Sequence, residues 1–185
     1  MELDKAIQSR YSCRKFSSKK PDWRDIIEAI DGARYAPMAG NNFSLRFTIV
    51  DDKEKINKLA EAAQQDFVSQ AKYVVVVTTE PGRTLNAFEE RGKIYFRQQA
   101  GAAIQNFLLK LEEKKLATCW VGHLDEAEVK RAIKAPEGTI VEAIFPIGYD
   151  YKKSPTKRMN IELDRILYFN DYKNKKMQHI KTLGT

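Results

Sequence analysis

The chain has 185 residues, 43% of them hydrophobic and 31% charged, which suits one domain with its own core and excludes a disordered chain. The formal net charge of +7 points to anionic partners, but most basic residues are interspersed with acidic ones, which is typical of a solvated surface. Cys13 and Cys119 show no CxxC spacing, so we expect free thiols and neither a disulfide framework nor a metal site. Since no long apolar run occurs, we expect a cytoplasmic protein without a membrane segment.

The N-terminal stretch combines a short helix with a group of cations. Leu3 to Arg10 predicts the helix, and residues 10–16 read Arg-Tyr-Ser-Cys-Arg-Lys-Phe. If these residues are extended, alternate side chains share a face, so Arg10, Ser12 and Arg14 point the same way. Arginine and serine side chains can bind a phosphate through charge-assisted hydrogen bonds. The stretch therefore predicts either an anion site or a basic surface at a helix end.

Helices and strands follow in a regular order. Asp22 is the expected N-cap of a helix from Trp23 to Tyr35, which must stop before Pro37. The run at 73–77 is β-branched without alternation, which predicts a strand buried on both faces at the centre of a sheet. The other predicted elements are a turn at 37–42, a strand at 46–50, a helix at 53–65, a helix that Asp125 caps, and a strand at 139–148.

A long helical pattern begins near Asn86 and leads into an apolar strand at 117–122. Gly92 and Gly101 each cost about 1 kcal/mol relative to alanine in a helix interior, so we expect a packing reason for both. The small residues at 100–103 would let another backbone approach closely. Gly122 then lies where a sheet edge would meet a cofactor or a partner.

The C-terminal region carries weaker signals. An apolar patch at 166–169 is too short to fold alone, so it must dock on this domain or on a second subunit. Residues 173–185 read as a polar tail. We therefore expect a single domain over residues 1–172.

The motifs, taken together in this order and spacing, resemble the nitroreductase family of FMN-dependent oxidoreductases. They are Arg10 to Phe16, Ala36 to Asn41, Ala103 to Leu109, Leu116 to Gly122, Phe145 to Tyr149, and Lys157-Arg158. The resemblance implies an α+β fold with a mixed, mostly antiparallel sheet flanked by helices. It also implies a long central helix at a homodimer interface, with FMN bound between the subunits.

The resemblance also implies roles for individual residues. Arg10 and Ser12, with Arg158, would hold the FMN phosphate, and Arg14 would lie near the flavin pyrimidine. Val121 and Gly122 would offer backbone amides near the flavin N5. The whole predicted cofactor-binding set is Arg10, Tyr11, Ser12, Arg14, Met38, Ala39, Asn41, Trp120, Val121, Gly122 and Arg158.

The implied activity is hydride transfer from NADH or NADPH through FMN to a nitroaromatic, a quinone or a flavin. The cofactor would carry the chemistry, so no catalytic side chain and no metal is expected. One departure is the stretch 41–45, Asn-Asn-Phe-Ser-Leu, where many relatives read Asn-x-Gln-Pro-Trp. Three alternatives stay open: a specialised flavin dehydrogenase, a non-catalytic FMN-binding protein and a basic nucleic-acid-binding domain.

Overall fold

An antiparallel four-stranded sheet organises the N-terminal part of the protein. Its strands are β1 (Leu45–Val50), β2 (Tyr73–Thr79), β3 (Ala117–Thr118) and β4 (Ile140–Gly148), in the spatial order β1-β2-β4-β3. All seven residues of β2 are buried, and β2 pairs with a strand on each side. The predicted central strand is therefore confirmed.

The structure, a computed structural model, describes residues 1–152 and 161–177. The chain divides into two units, Met1–Lys153 and Ser154–Thr185. In the second unit, a short helix, Leu163–Ile166, precedes an edge-on contact of the Tyr168 and Tyr172 rings. The single domain over 1–172, the docking of the patch at 166–169 and the tail at 173–185 stay predictions.

The described part of the first unit contains five α-helices, and three of them begin at an aspartate that caps the first turn. They are α1 (Leu3–Ser9), α2 (Trp23–Ala33), α3 (Lys53–Ala63), α4 (Gly82–Glu113) and α5 (Glu126–Ile133). The side chains of Asp22, Asp52 and Asp125 accept hydrogen bonds from backbone amides within the helices they start. The caps predicted at Asp22 and Asp125 are confirmed. No helix in the described ranges has the length and apolar character of a membrane span.

The two faces of the sheet carry different helices. Helices α2 and α4 cover one face, where the Phe107 and Phe145 rings meet edge to face with centroids 5.6 Å apart. Helices α3 and α5 cover the other face, and the amide of Asp125 donates to the carbonyl of Ala62 at 2.8 Å. The predicted α+β architecture is confirmed.

A buried carboxylate joins α4 to the sheet. The side chain of Glu142 on β4 is 7% exposed and accepts from the Thr79 hydroxyl at 2.7 Å and from Arg97 at 2.6 Å. Both carboxylate oxygens therefore have a partner, as a buried charge requires.

Helix α4 bends sharply near its start, which the sequence did not predict. Glu89 has φ 48° and ψ −130°, so the helix is interrupted there and residues 82–88 fold back. A methyl group on Gly92 would lie 2.7 Å from the carbonyl oxygen of Thr84, eight residues earlier. The expected packing reason for Gly92 is therefore this tight corner. By contrast, a methyl group on Gly101 would meet nothing within 4 Å.

Candidate functional site

The segment after α1 runs along the edge of the sheet in an extended conformation. Ser12 forms a parallel bridge with Thr118, and the amide of Cys13 donates to the carbonyl of Thr118 at 2.8 Å. Helix α1 is fixed to the end of α4, where the Ser9 hydroxyl donates to Glu112 at 2.7 Å. The cationic segment is thus held beside β3.

The Cys119 thiol lies within the electrostatic influence of the predicted anion-binding segment. Burial raises the pKa of Cys119, while the charge of Arg14, the hydroxyl of Ser12 and the charge of Arg10 oppose that rise. Ser12 interacts with the thiol directly, whereas the two arginine charges act on it through space. That Arg10, Ser12 and Arg14 point the same way stays a prediction.

Two hydroxyl groups in the same region are buried without a partner. Within residues 1–152 and 161–177, neither the Thr118 hydroxyl nor the Tyr11 phenol has a hydrogen bond. Such groups usually find a partner, because a buried unpaired hydroxyl costs free energy. Thr118 lies beside Ser12, so an oxygen-rich anion bound there would give its hydroxyl a partner, and this donor chemistry fits a phosphate group. The Tyr11 ring packs instead with Cys13 and Phe16.

The predicted turn lies against α4. Residues Ala39–Asn41 form a 3-10 turn in which Gly40 and Asn41 have φ of 58° and 54°, as expected for glycine and asparagine. Next to it is a cavity of about 290 Å³, lined by Pro37, Met38, Ala39, Tyr95, Gln98, Gln99 and Ala102. Met38 and Ala39 therefore reach a common cavity, whereas the side chain of Asn41 is exposed and does not line it.

The residues after β3 differ from what we expected in one respect. The amide of Val121 already donates to the carbonyl of Ile144 at 3.1 Å, so it is not available to a flavin. For the amide of Gly122, no acceptor is found in the described ranges, and the residue is exposed. Trp120 is 42% exposed, with its ring centroid 5.7 Å from that of Phe145.

Sequence reasoning missed Gln99, which fixes the segment after the turn. Its side-chain oxygen accepts from the amide and the hydroxyl of Ser44 at 3.1 and 2.7 Å. Its side-chain nitrogen donates to the carbonyl of Asn42 at 3.0 Å. The available signal was a polar residue on the apolar stripe of α4, three residues after Phe96 and four before Ala103.

Two further expectations concern Arg158 and metal binding. Arg158, predicted to bind phosphate, lies outside the described residues. In the ranges that the structure describes, no group of three or more His, Cys, Asp or Glu side chains could hold a metal ion. The structure thus presents two groups of predicted site residues, one around β3 and one at the turn beside α4.

Comparison with known proteins assigns the family. The family model described as "Nitroreductase family" matches residues 7–67 and 60–149, which is most of the chain. The protein therefore belongs to the nitroreductase family, as the motifs predicted, and it is an oxidoreductase.

Two named relatives cover most of this chain. An iodotyrosine deiodinase from Thermotoga neapolitana is 27% identical over 164 residues, which is 80% of this chain and 88% of the relative. A provisionally named NADH dehydrogenase/NAD(P)H nitroreductase from Archaeoglobus fulgidus is 27% identical over 153 residues, covering 80% and 85%. The relatives thus span two kinds of activity.

Solved structures show the same fold. A nitroreductase family protein from Clostridium novyi is 25% identical with a TM-score of 0.76, covering 94% of this chain and 96% of that one. The NADPH:FMN oxidoreductase of Vibrio harveyi, solved with NAD+, is 21% identical with a TM-score of 0.81, covering 93% and 78%. The Vibrio protein is named for FMN and NADPH, which are the cofactor and one of the two electron donors that the sequence predicts here.

Proposed function

We propose that the protein is an FMN-dependent oxidoreductase that uses NADH or NADPH to reduce an electron-poor small molecule, such as a nitroaromatic, a quinone or a flavin. The placement of Ser12 beside Thr118, whose buried hydroxyl has no partner within the described residues, carries this proposal. Bound FMN would supply the two-electron chemistry, accepting a hydride from the nicotinamide and passing it on.

The side chains near β3 would bind and tune the cofactor. Arg10 and Ser12 would hold its phosphate, with the Thr118 hydroxyl as a further partner, because charge-assisted hydrogen bonds to phosphate are strong. Arg14 would lie near the pyrimidine edge, where a fixed cation stabilises added negative charge. The proposed division of work is therefore binding by Arg10 and Ser12 and electrostatic tuning by Arg14.

The backbone and the turn would shape the space around the ring. The Gly122 amide is proposed as a donor to the ring, while Met38 and Ala39 would contact its flat face. Some of these contacts would come from the second subunit of a homodimer. The homodimer, the cytoplasmic location and the role of Arg158 stay predictions.

A visible absorption spectrum tests the proposal directly. The purified protein supplied with FMN is expected to keep a flavin band through gel filtration and to lose it on anaerobic addition of NADH or NADPH. If the band is retained but neither nucleotide bleaches it, the protein binds flavin and does not have the proposed activity. Failure to retain FMN at all would overturn the proposal.

A pair of variants tests the phosphate assignment. Arg10→Gln removes charge-assisted hydrogen bonds worth about 1.5–3 kcal/mol each, so we expect the dissociation constant of FMN to rise about tenfold to a hundredfold. Lys19→Gln is the matched control, because Lys19 is basic and lies in the same stretch but packs over the Tyr149 ring, 4.7 Å from its centroid. Equal affinities in the two variants would contradict the assignment.

The deiodinase from Thermotoga neapolitana favours a second candidate, reductive removal of iodide from an iodinated phenol. In that case the reduced protein would release iodide from 3-iodo-L-tyrosine and form tyrosine. Comparing this rate with the rate for a quinone under the same reducing conditions distinguishes the two candidates.

A further inference from the structure

A set of hydrogen bonds joins three separate parts of the chain beside the turn. Gln99 on the long arm of α4 binds both Asn42 and Ser44, and the side-chain amide of Asn42 donates to the Thr84 hydroxyl at 3.0 Å on the short arm. We call Gln99, Asn42, Ser44 and Thr84 the Gln99 latch. It links the segment leaving the turn to both arms of the bent helix.

These hydrogen bonds are buried, so losing them is costly in free energy. Gln99 is 4% exposed, and Ser44 and Thr84 are each 2% exposed. If the Gln99 amide were lost, the Ser44 amide, the Ser44 hydroxyl and the Asn42 carbonyl would each lose a partner in a region that water hardly reaches. A buried donor or acceptor left unpaired costs about 1–3 kcal/mol, more than the net gain from an ordinary hydrogen bond.

The latch acts on the turn that carries two of the predicted flavin contacts. Asn42 directly follows the left-handed residues Gly40 and Asn41, so its position sets where the turn ends. On the other side, a methyl group placed on Gly40 would lie 3.1 Å from the Phe88 ring. The turn therefore lies between this ring and the latch.

Gln99 also lines the same cavity as Met38 and Ala39, so a change at Gln99 acts at that cavity. We propose that Gln99 is a positioning residue that holds the Met38–Asn41 turn against bound FMN, an inference that rests on the proposed function. Sites of this kind need side chains held to within about half an ångström, which buried second-layer hydrogen bonds provide.

The test compares two glutamines on one helix. Gln99→Met keeps the approximate size of the side chain and removes all three hydrogen bonds. Gln105→Met is the control, because Gln105 lies on the same helix, is exposed, and its side chain makes no hydrogen bond within the described residues. The dissociation constant of FMN, the visible circular dichroism of bound flavin and the unfolding midpoint are measured for both variants and the parent protein.

We expect Gln99→Met to raise the dissociation constant about tenfold, equivalent to ~1.4 kcal/mol, and to change the flavin circular dichroism. Gln105→Met should match the parent in both. A residue that only supports the fold would lower the unfolding midpoint and leave the affinity and the dichroism of the folded protein unchanged, and that result would overturn the proposal.

Two further outcomes are separable. If Gln99→Met does not fold, Ser44→Ala removes only the hydroxyl contact, and a rise of about threefold in the dissociation constant is expected; an unchanged value would overturn the proposal. If the parent protein does not bind FMN, the proposed function fails, and the positioning role fails with it. If Gln99→Met and the parent protein bind FMN equally well, the proposed function stands and only the positioning role of Gln99 is rejected.

Discussion

Gly92 and Gly101 lie on one helix, about two and a half turns apart, in opposite surroundings. Gly92 is buried in the corner of α4, where a methyl group would meet the backbone of Thr84 and Leu85. Gly101 faces open space within its own chain. A glycine inside a helix can therefore serve the fold of its own chain, or a contact that one chain does not contain.

We expect the greatest loss of stability from a substitution at the corner of α4. In Gly92→Ala, the new methyl group would approach the Thr84 carbonyl oxygen to 2.7 Å and the Leu85 Cα to 3.0 Å, and both are backbone atoms that cannot move alone. Overpacking of this kind costs about 1–3 kcal/mol, so we expect the free energy of unfolding in urea to fall by that amount. An unchanged midpoint would show that the corner is looser than described.

The next effect has the opposite sign and tests the bend itself. Glu89 has φ 48° and ψ −130°, a conformation that glycine adopts without steric cost. We expect Glu89→Gly to raise the free energy of unfolding by about 1 kcal/mol, measured by the same denaturation. Glu90→Gly, on the exposed helical side of the bend, should lower it by about 1 kcal/mol. Two variants that are equally destabilised would argue against a strained Glu89.

The smallest effect on the isolated chain is expected at Gly101. Alanine is the better helix former by about 1 kcal/mol, and nothing in the chain obstructs its methyl group, so Gly101→Ala should raise the free energy of unfolding by up to that amount. The measurement is made at low protein concentration, where subunit contacts contribute least. A clear loss of stability there would contradict the open surroundings of Gly101.

A larger side chain at position 101 tests whether a second subunit packs there. The predicted homodimer places α4 at the interface, and the small residues at 100–103 would let a second backbone approach. We therefore expect Gly101→Leu to weaken self-association in sedimentation equilibrium, with Asn57→Leu, at an exposed position of α3 on the other side of the sheet, as the control. Equal self-association of both variants would contradict a subunit interface at Gly101.

Local patterns in the sequence predicted those parts of the fold that depend on neighbouring residues. Asp22 and Asp125 cap helices as expected, because a cap acts over two or three residues. The run at 73–77 forms a fully buried strand, because residue type there reflects burial on both faces. The segment predicted to be extended does run beside β3, where Ser12 bridges Thr118, even though the predicted strand at 117–122 is regular only over its first two residues.

The parts that the sequence did not predict depend on distant contacts. The helical pattern continues through Glu89, so nothing in the local sequence marks the bend, which is fixed by residues 82–88 packing on Gly92. The Val121 amide is occupied because Ile144 on another strand lies opposite it. Gln99 pairs with Ser44 across 55 positions, and such a pairing has no local signature.

The pairing of β2 on both sides has a consequence for the slowest motions of the protein. Its residues are at most 4% exposed and hydrogen-bond to β1 and β4, so local fraying cannot bring their amides to water. In deuterium oxide these amides are expected to exchange only when the whole N-terminal unit opens, so their exchange rates give its global free energy of opening. The amide exchange rates of residues 73–79 thus measure the stability of this unit under native conditions, without denaturant.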